Sequence, residues 1–143
     1  GDPKHKNDRN RSIDPSYLAP LLKLKDVNIF SLQLDHDGEA NKVLGKTVVD
    51  LAPELTSFNE TAAAMKNLDV VISVDSSPAH LAGALGCCVW TLLPFVPDWR
   101  WMLHGDTTPW YPSMQLFRQA TIGDWSYVIE NICVALRATR SSD

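Results

Sequence analysis

The run Asp69-Val-Val-Ile-Ser-Val74 is apolar on both parities apart from Ser73, and it constrains the fold more than any other stretch. A strand with one wet face alternates apolar and polar residues. One that is apolar on both sides must be covered on both, as in a parallel sheet flanked by helices. Four further short runs, rich in β-branched or aromatic residues and bounded by turn residues, predict strands at Val27 to Leu32, Thr47 to Val49, Cys88 to Leu93 and Met114 to Phe117. Helical segments lie between them. Asp14-Pro15 offers an N-cap and a first-turn proline to a helix carrying Tyr17, Leu18, Leu21 and Leu24, kinked at Pro20. Ser57-Phe-Asn-Glu60 matches a capping box opening an Ala-rich helix through about Lys66, and Ser77-Pro78 opens another that stops at Gly86. In the last helix Trp125, Val128, Ile129, Ile132, Cys133 and Leu136 fall on one face, with Asp124 as cap. This alternation predicts an α/β fold, an open parallel sheet of doubly wound type joined by right-handed crossovers.

A length of 143 residues predicts a single domain, 1–143, with one core. Apolar residues at 45% and charged residues at 21% exclude a disordered, collagen-like or coiled-coil chain. Apolar stretches are interrupted within about ten residues, too short to span a membrane, and the N-terminus lacks a signal-peptide apolar region, so a cytoplasmic location is expected. A net charge of −4 disfavours a dedicated nucleic-acid binder. Cys87, Cys88 and Cys133 make an odd count with no CxxC pair, which supports neither a disulfide framework nor a zinc site and fits a reducing compartment.

Three places can carry chemistry. In Asp75-Ser76-Ser77-Pro78-Ala79-His80 the chain leaves a buried strand and enters a helix directly. Open α/β sheets bind ligands at the carboxyl ends of strands, where helix N-termini offer free N–H groups and a positive dipole to phosphate. Asp75 can accept hydrogen bonds from sugar hydroxyls while the backbone around Ser76 to Ala79 holds a phosphate. A plain capped helix accounts for the same residues, and both readings stand. His80, in the first turn, is either a neutral hydrogen-bonded histidine or a ligand contact. The second place is Gly1 to Arg11, with two lysines and two arginines in eleven residues of an otherwise acidic chain. It suits a diphosphate, or it is simply solvated. The third, Asp35-His36-Asp37-Gly38-Glu39, lacks the spacing of a calcium loop and reads as a solvated turn, so no metal site is expected.

Leu93 to Pro112 is a long stretch without clear period that holds four of the nine prolines and three of the five tryptophans. Loops of that length are usually functional or disordered, and the aromatics favour an ordered loop folded over a site or a partner surface.

The run Leu68 to Gly86 followed by Val89-Trp90 resembles the C-terminal signature of family 9 glycosyltransferases, the heptosyltransferase group: an apolar strand, Asp, a small polar pair, a phosphate-binding turn, His, Leu-Ala-x-Ala-Leu-Gly and a second apolar strand. GDPKHKNDRNRS, PFVPDWRWMLH and PWYPSMQLFRQ look like the branch fused to tetratricopeptide repeats in bacteria. The resemblance implies the Rossmann-like C-terminal half of a GT-B fold, the half that binds the nucleotide-diphosphate sugar of an inverting glycosyltransferase, in a fragment of a longer chain. It places Asp75 on the donor sugar, gives Ser76, Ser77, Pro78 and Ala79 to the diphosphate, and has His80 support that turn. A phosphate-binding basic residue after the first strand aligns with Arg11 or Lys6. The acidic residue that often meets the ribose corresponds to Gln33 or Asp35. Asp14 replaces a common family proline, and the chain begins where the family's first strand has just ended. The catalytic base belongs to the other half, so the isolated chain is expected to lack turnover, and neither a metal nor another cofactor is implied. The implied partners are the nucleotide sugar and an acceptor half or tetratricopeptide repeats of the same protein. Two alternatives remain: a non-catalytic interaction domain of a repeat scaffold, with the tryptophan loop as its contact surface, and, ranked last, a nucleotide-sugar epimerase half.

Overall fold

The structure, a computed structural model, describes residues 8–34, 42–43 and 45–140. Lys6, Asp35 and the turn Asp35 to Glu39 lie outside the described residues. Five strands form, β1 (Ile29–Ser31), β2 (Val48–Asp50), β3 (Val71–Val74), β4 (Val89–Leu93) and β5 (Met114–Arg118), each within or overlapping a predicted run. All pairings between them are parallel, as expected. Their hydrogen bonding is divided, however: β3, β4 and β5 make one sheet in that order, and β1 pairs with β2 in a second.

The three-stranded sheet holds the core. Every residue of β4 is buried, the outcome expected for a central strand covered on both faces. Trp90, Leu92 and Phe117 point to one side, where they meet Trp125, Val128, Ile129, Ile132, Cys133 and Leu136 of helix α4 (Trp125–Arg140). Thus the spacing of that helix predicts its buried face, and Asp124 caps it by accepting from Tyr127 N–H at 3.1 Å. Val71, Val89, Leu93, Met114 and Leu116 point to the other side, against Met65 of α2 (Phe58–Lys66) and Ala82 of α3 (Ser77–Ala84). Ile29 and Leu32 pack against these two cores, one each, so the smaller sheet docks through side chains.

Helix α1 is a single turn, Asp8–Arg11. The helix predicted after Asp14 forms instead as two 3-10 turns, Pro15–Leu18 and Leu21–Lys23. Pro20 carries no N–H to continue an α-helical ladder and its ring crowds the preceding turn, so the segment breaks where a kink was expected. Asp14 does cap the first turn, accepting from Ser16 N–H at 2.9 Å. At α2, Ser57 accepts from Glu60 N–H at 3.4 Å, but the Glu60 carboxylate takes the Thr56 hydroxyl at 2.6 Å rather than closing the box on Ser57. Gly86 follows α3 at φ +69°, a left-handed turn that lets the chain reverse into β4.

Candidate functional site

Strand β3 ends by delivering Asp75 to the rim of the sheet, and Ser76 turns the chain into α3 with an extended backbone at φ −157°, ψ 168°. Ser76 does not cap the helix with its side chain. Its hydroxyl folds back on the strand, donating to Val74 O at 3.1 Å and lying 3.0 Å from the Ser73 hydroxyl. Its carbonyl accepts from the N–H groups of Ala79 and His80. Pro78 has no N–H, so Ser77, exposed at the first helical position, has the N–H left without a partner among the described residues. The capped-helix reading of the serines therefore fails for Ser76.

Arg11 comes to the same place from 64 residues earlier: its Nη1 donates to the Asp75 carbonyl at 2.8 Å. Its Nε lies 3.7 Å from Asp8 Oδ1, and the side chain is only 11% exposed. Asp8 in turn accepts the Ser12 hydroxyl at 2.7 Å, which holds the α1 turn against the strand end. The two segments singled out in the sequence, basic and Asp-Ser-Ser-Pro-Ala-His, thus meet.

The Asp75 carboxylate, 13% exposed, faces His80 Nε2 at 3.6 Å, just beyond hydrogen-bond distance, and accepts no hydrogen bond among the described residues. His80 Nδ1 lies 3.0 Å from the Tyr111 hydroxyl. The imidazole stacks on Trp101, centroids 5.2 Å apart, and meets Tyr111 edge-on. Both aromatics belong to the long β4 to β5 connection, which is ordered and folds over the turn as expected. Gly83 lets Tyr111 approach α3, since a Cβ there would stand 2.6 Å from Tyr111 Cγ. Gln33 is exposed just beyond the end of β1, its N–H 3.4 Å from the Ser31 hydroxyl, and no contact joins it to Asp75.

Sequence reasoning missed what shapes this loop. Arg118 of β5 spends its guanidinium on backbone carbonyls, donating to Gly105 at 2.7 Å, Met102 at 3.0 Å, Trp101 and His104. Partial burial pushes its pKa below the usual value. Met102 sits at φ +57°, ψ −179°, a region that costs a non-glycine residue roughly 1–3 kcal/mol, and these bonds hold it there. Gln119, buried, accepts from Phe95 N–H at 3.1 Å and Gly123 N–H at 3.0 Å, tying the loop's start to the end of β5. The aromatic content was the visible signal; the anchoring arginine carried none. On the outside of the loop Trp99, Met102, Leu103 and Trp110 stand more than half exposed.

Two clefts of about 270 and 430 Å³ lie on other parts of the surface, and neither is lined by Asp75 to His80. Among the described residues no three His, Cys, Asp or Glu cluster as metal ligands. Cys87, Cys88 and Cys133 are free thiols. No helix among the described residues is long and apolar enough to cross a membrane.

A strand, an acidic residue and a helix N-terminus in this order are common in α/β folds, and the sequence as a whole decides among them. Residues 29–117 match the model of glycosyltransferase family 9 (heptosyltransferase). The chain belongs to that family. The family 9 match contains Asp75 to His80 together with Trp101 and Tyr111, but begins after Arg11 and ends before Arg118. The chain is also 29% identical over 140 residues to Protein FlbA of Caulobacter vibrioides, an alignment covering 91% of this chain and 23% of that protein. The chain therefore spans about a quarter of that relative's length. No solved structure matches it.

Proposed function

We propose that this family 9 domain is the donor-binding half of an inverting glycosyltransferase and holds a nucleotide-diphosphate sugar at the end of β3. One observation carries the reading: Arg11 and Asp75 meet. A guanidinium at a helix N-terminus is an anion site, and a nearly unpartnered carboxylate beside it is an acceptor for hydroxyls. A diphosphate joined to a sugar presents both chemistries a few ångströms apart. In the proposed reaction an acceptor hydroxyl displaces the diphosphate directly from the anomeric carbon. As that bond breaks, negative charge grows on the leaving diphosphate, and Arg11 with the free Ser77 N–H stabilises it where it forms. Asp75 orients the sugar. The acceptor and the base come from elsewhere in the same protein, a longer bacterial, cytoplasmic one with tetratricopeptide repeats.

The second reading, an interaction domain without turnover, is favoured by the exposed Trp99, Met102, Leu103 and Trp110 on one loop, large apolar side chains of the kind contact surfaces use. Titration separates the two. ADP, GDP, UDP and their sugars should shift NMR resonances of Ser76 to His80 and Arg11; shifts confined to distant residues would remove the phosphate site. Asp75→Asn should then weaken the nucleotide sugar about ten- to a hundredfold, the loss of a charged acceptor at roughly 1.5–3 kcal/mol, while the bare diphosphate binds as before or tighter. Equal losses for both ligands with a lower melting temperature would make Asp75 structural.

A further inference from the structure

The carboxylate that the proposed function assigns to the sugar is oriented by a residue outside the strand-end turn. His80 Nε2 lies 3.6 Å from the Asp75 carboxylate, just beyond hydrogen-bond distance, and the negative charge there favours a neutral ring with its N–H on that nitrogen rather than its lone pair. Its Nδ1 is then a lone pair, and the Tyr111 hydroxyl 3.0 Å away is the donor. The imidazole is held on its face by Trp101, which is 1% exposed and cannot yield. Tyr111 is itself held by contact with the bare Cα of Gly83. Among the described residues Asp75 has no partner but His80 for its carboxylate. The orientation of the acceptor therefore depends on the tautomer of His80, and the tautomer on one phenol.

We infer that Tyr111 is a positioning residue: by donating to His80 Nδ1 it keeps the Nε2–H tautomer directed at Asp75 and presets the carboxylate for sugar hydroxyls. The inference rests on the donor-site reading for its last step only. It also joins the tryptophan loop to the site, since Tyr111 and Trp101 can leave His80 only if the loop moves.

The test combines long-range 1H–15N NMR of His80 with calorimetric titration of UDP, ADP and GDP and their sugars into the 143-residue chain. The wild type should show Nε2 protonated and Nδ1 bare at a pH where His80 is neutral. Tyr111→Phe keeps the ring over Gly83, so the melting temperature should hardly move. The tautomers should mix, and affinity for the nucleotide sugar should fall about three- to tenfold with the bare diphosphate unaffected. Gly83→Ala, which pushes the ring away with its hydroxyl intact, should reproduce the tautomer change. A wild-type His80 protonated at Nδ1, a tautomer unchanged in Tyr111→Phe, or equal losses for both ligands would overturn the inference. A wild-type chain that binds no nucleotide sugar is a different failure. It sinks the donor reading, while the His80 tautomer, read without ligand, still upholds or overturns the Tyr111 contact.

Discussion

Replacing Arg11 by alanine removes a charge-assisted hydrogen bond of 2.8 Å to the Asp75 carbonyl from a side chain only 11% exposed. Such bonds contribute roughly 1.5–3 kcal/mol net. Two further methylenes leave contact with the protein at about 0.8 kcal/mol each. Against this, alanine no longer has the roughly 1.5–2 kcal/mol of rotamer entropy that ordering an arginine costs. The buried Nε, which makes no hydrogen bond, no longer has to be desolvated. The balance is a loss of about 1–2 kcal/mol, or roughly 3–7 °C in melting temperature for a domain of this size. Arg11→Lys keeps the charge and stem but not the planar fork, and should recover less than half of the loss. Thermal melts followed by circular dichroism read the stability, and titration with nucleoside diphosphates reads the site. Both should fall together in Arg11→Ala, because in the proposed site one guanidinium serves the strand end and the phosphate. A melting temperature within about 1 °C of wild type, with unchanged diphosphate affinity, would mean that α1 does not dock on the strand end in solution.

Two further results are expected. Arg118→Lys leaves a single ammonium where a fork met the carbonyls of Trp101, Met102, His104 and Gly105. Trp101 fluorescence and protease resistance of the loop should change before the sheet melts, and a loop as resistant as wild type would refute the anchoring role. The hydrogen bond from Thr56 holds the Glu60 carboxyl below its usual pKa of 4.5. A depressed carboxyl stabilises the fold above its unfolded-state value and loses that contribution as pH falls through the folded one. Thr56→Val should therefore destabilise the chain at pH 7 and converge on wild type near pH 3 in urea melts; a pH-independent difference would refute it.

Much of the fold is legible in local pattern because local pattern encodes burial. The run Asp69 to Val74, apolar on both parities, does place Val71 in one core and Ile72 and Val74 against the other. But β3 lies at the edge of its sheet and only Val71 is fully buried, while the complete cover falls on the central β4. The spacing of Trp125 to Leu136 names the buried face of α4 before any partner is known. Turn chemistry is less binding. Ser76 looked like a cap, but its hydroxyl had an alternative in Val74 O, and the strand won. Pro20 promised a kink and produced a break.

What the sequence by itself determined is the five strands, their parallel pairing and the helices packed on the three-stranded sheet, since periodicity, caps and prolines act over a few residues. What only the tertiary structure decided is which distant groups meet. Arg11 reaches Asp75 across 64 residues, Tyr111 reaches His80 across 31, and Arg118 closes on the carbonyls of a loop more than a dozen residues before it. The physical reason is that such contacts carry no period: each depends on how the sheet stacks its strand ends, and only the packed core sets those distances.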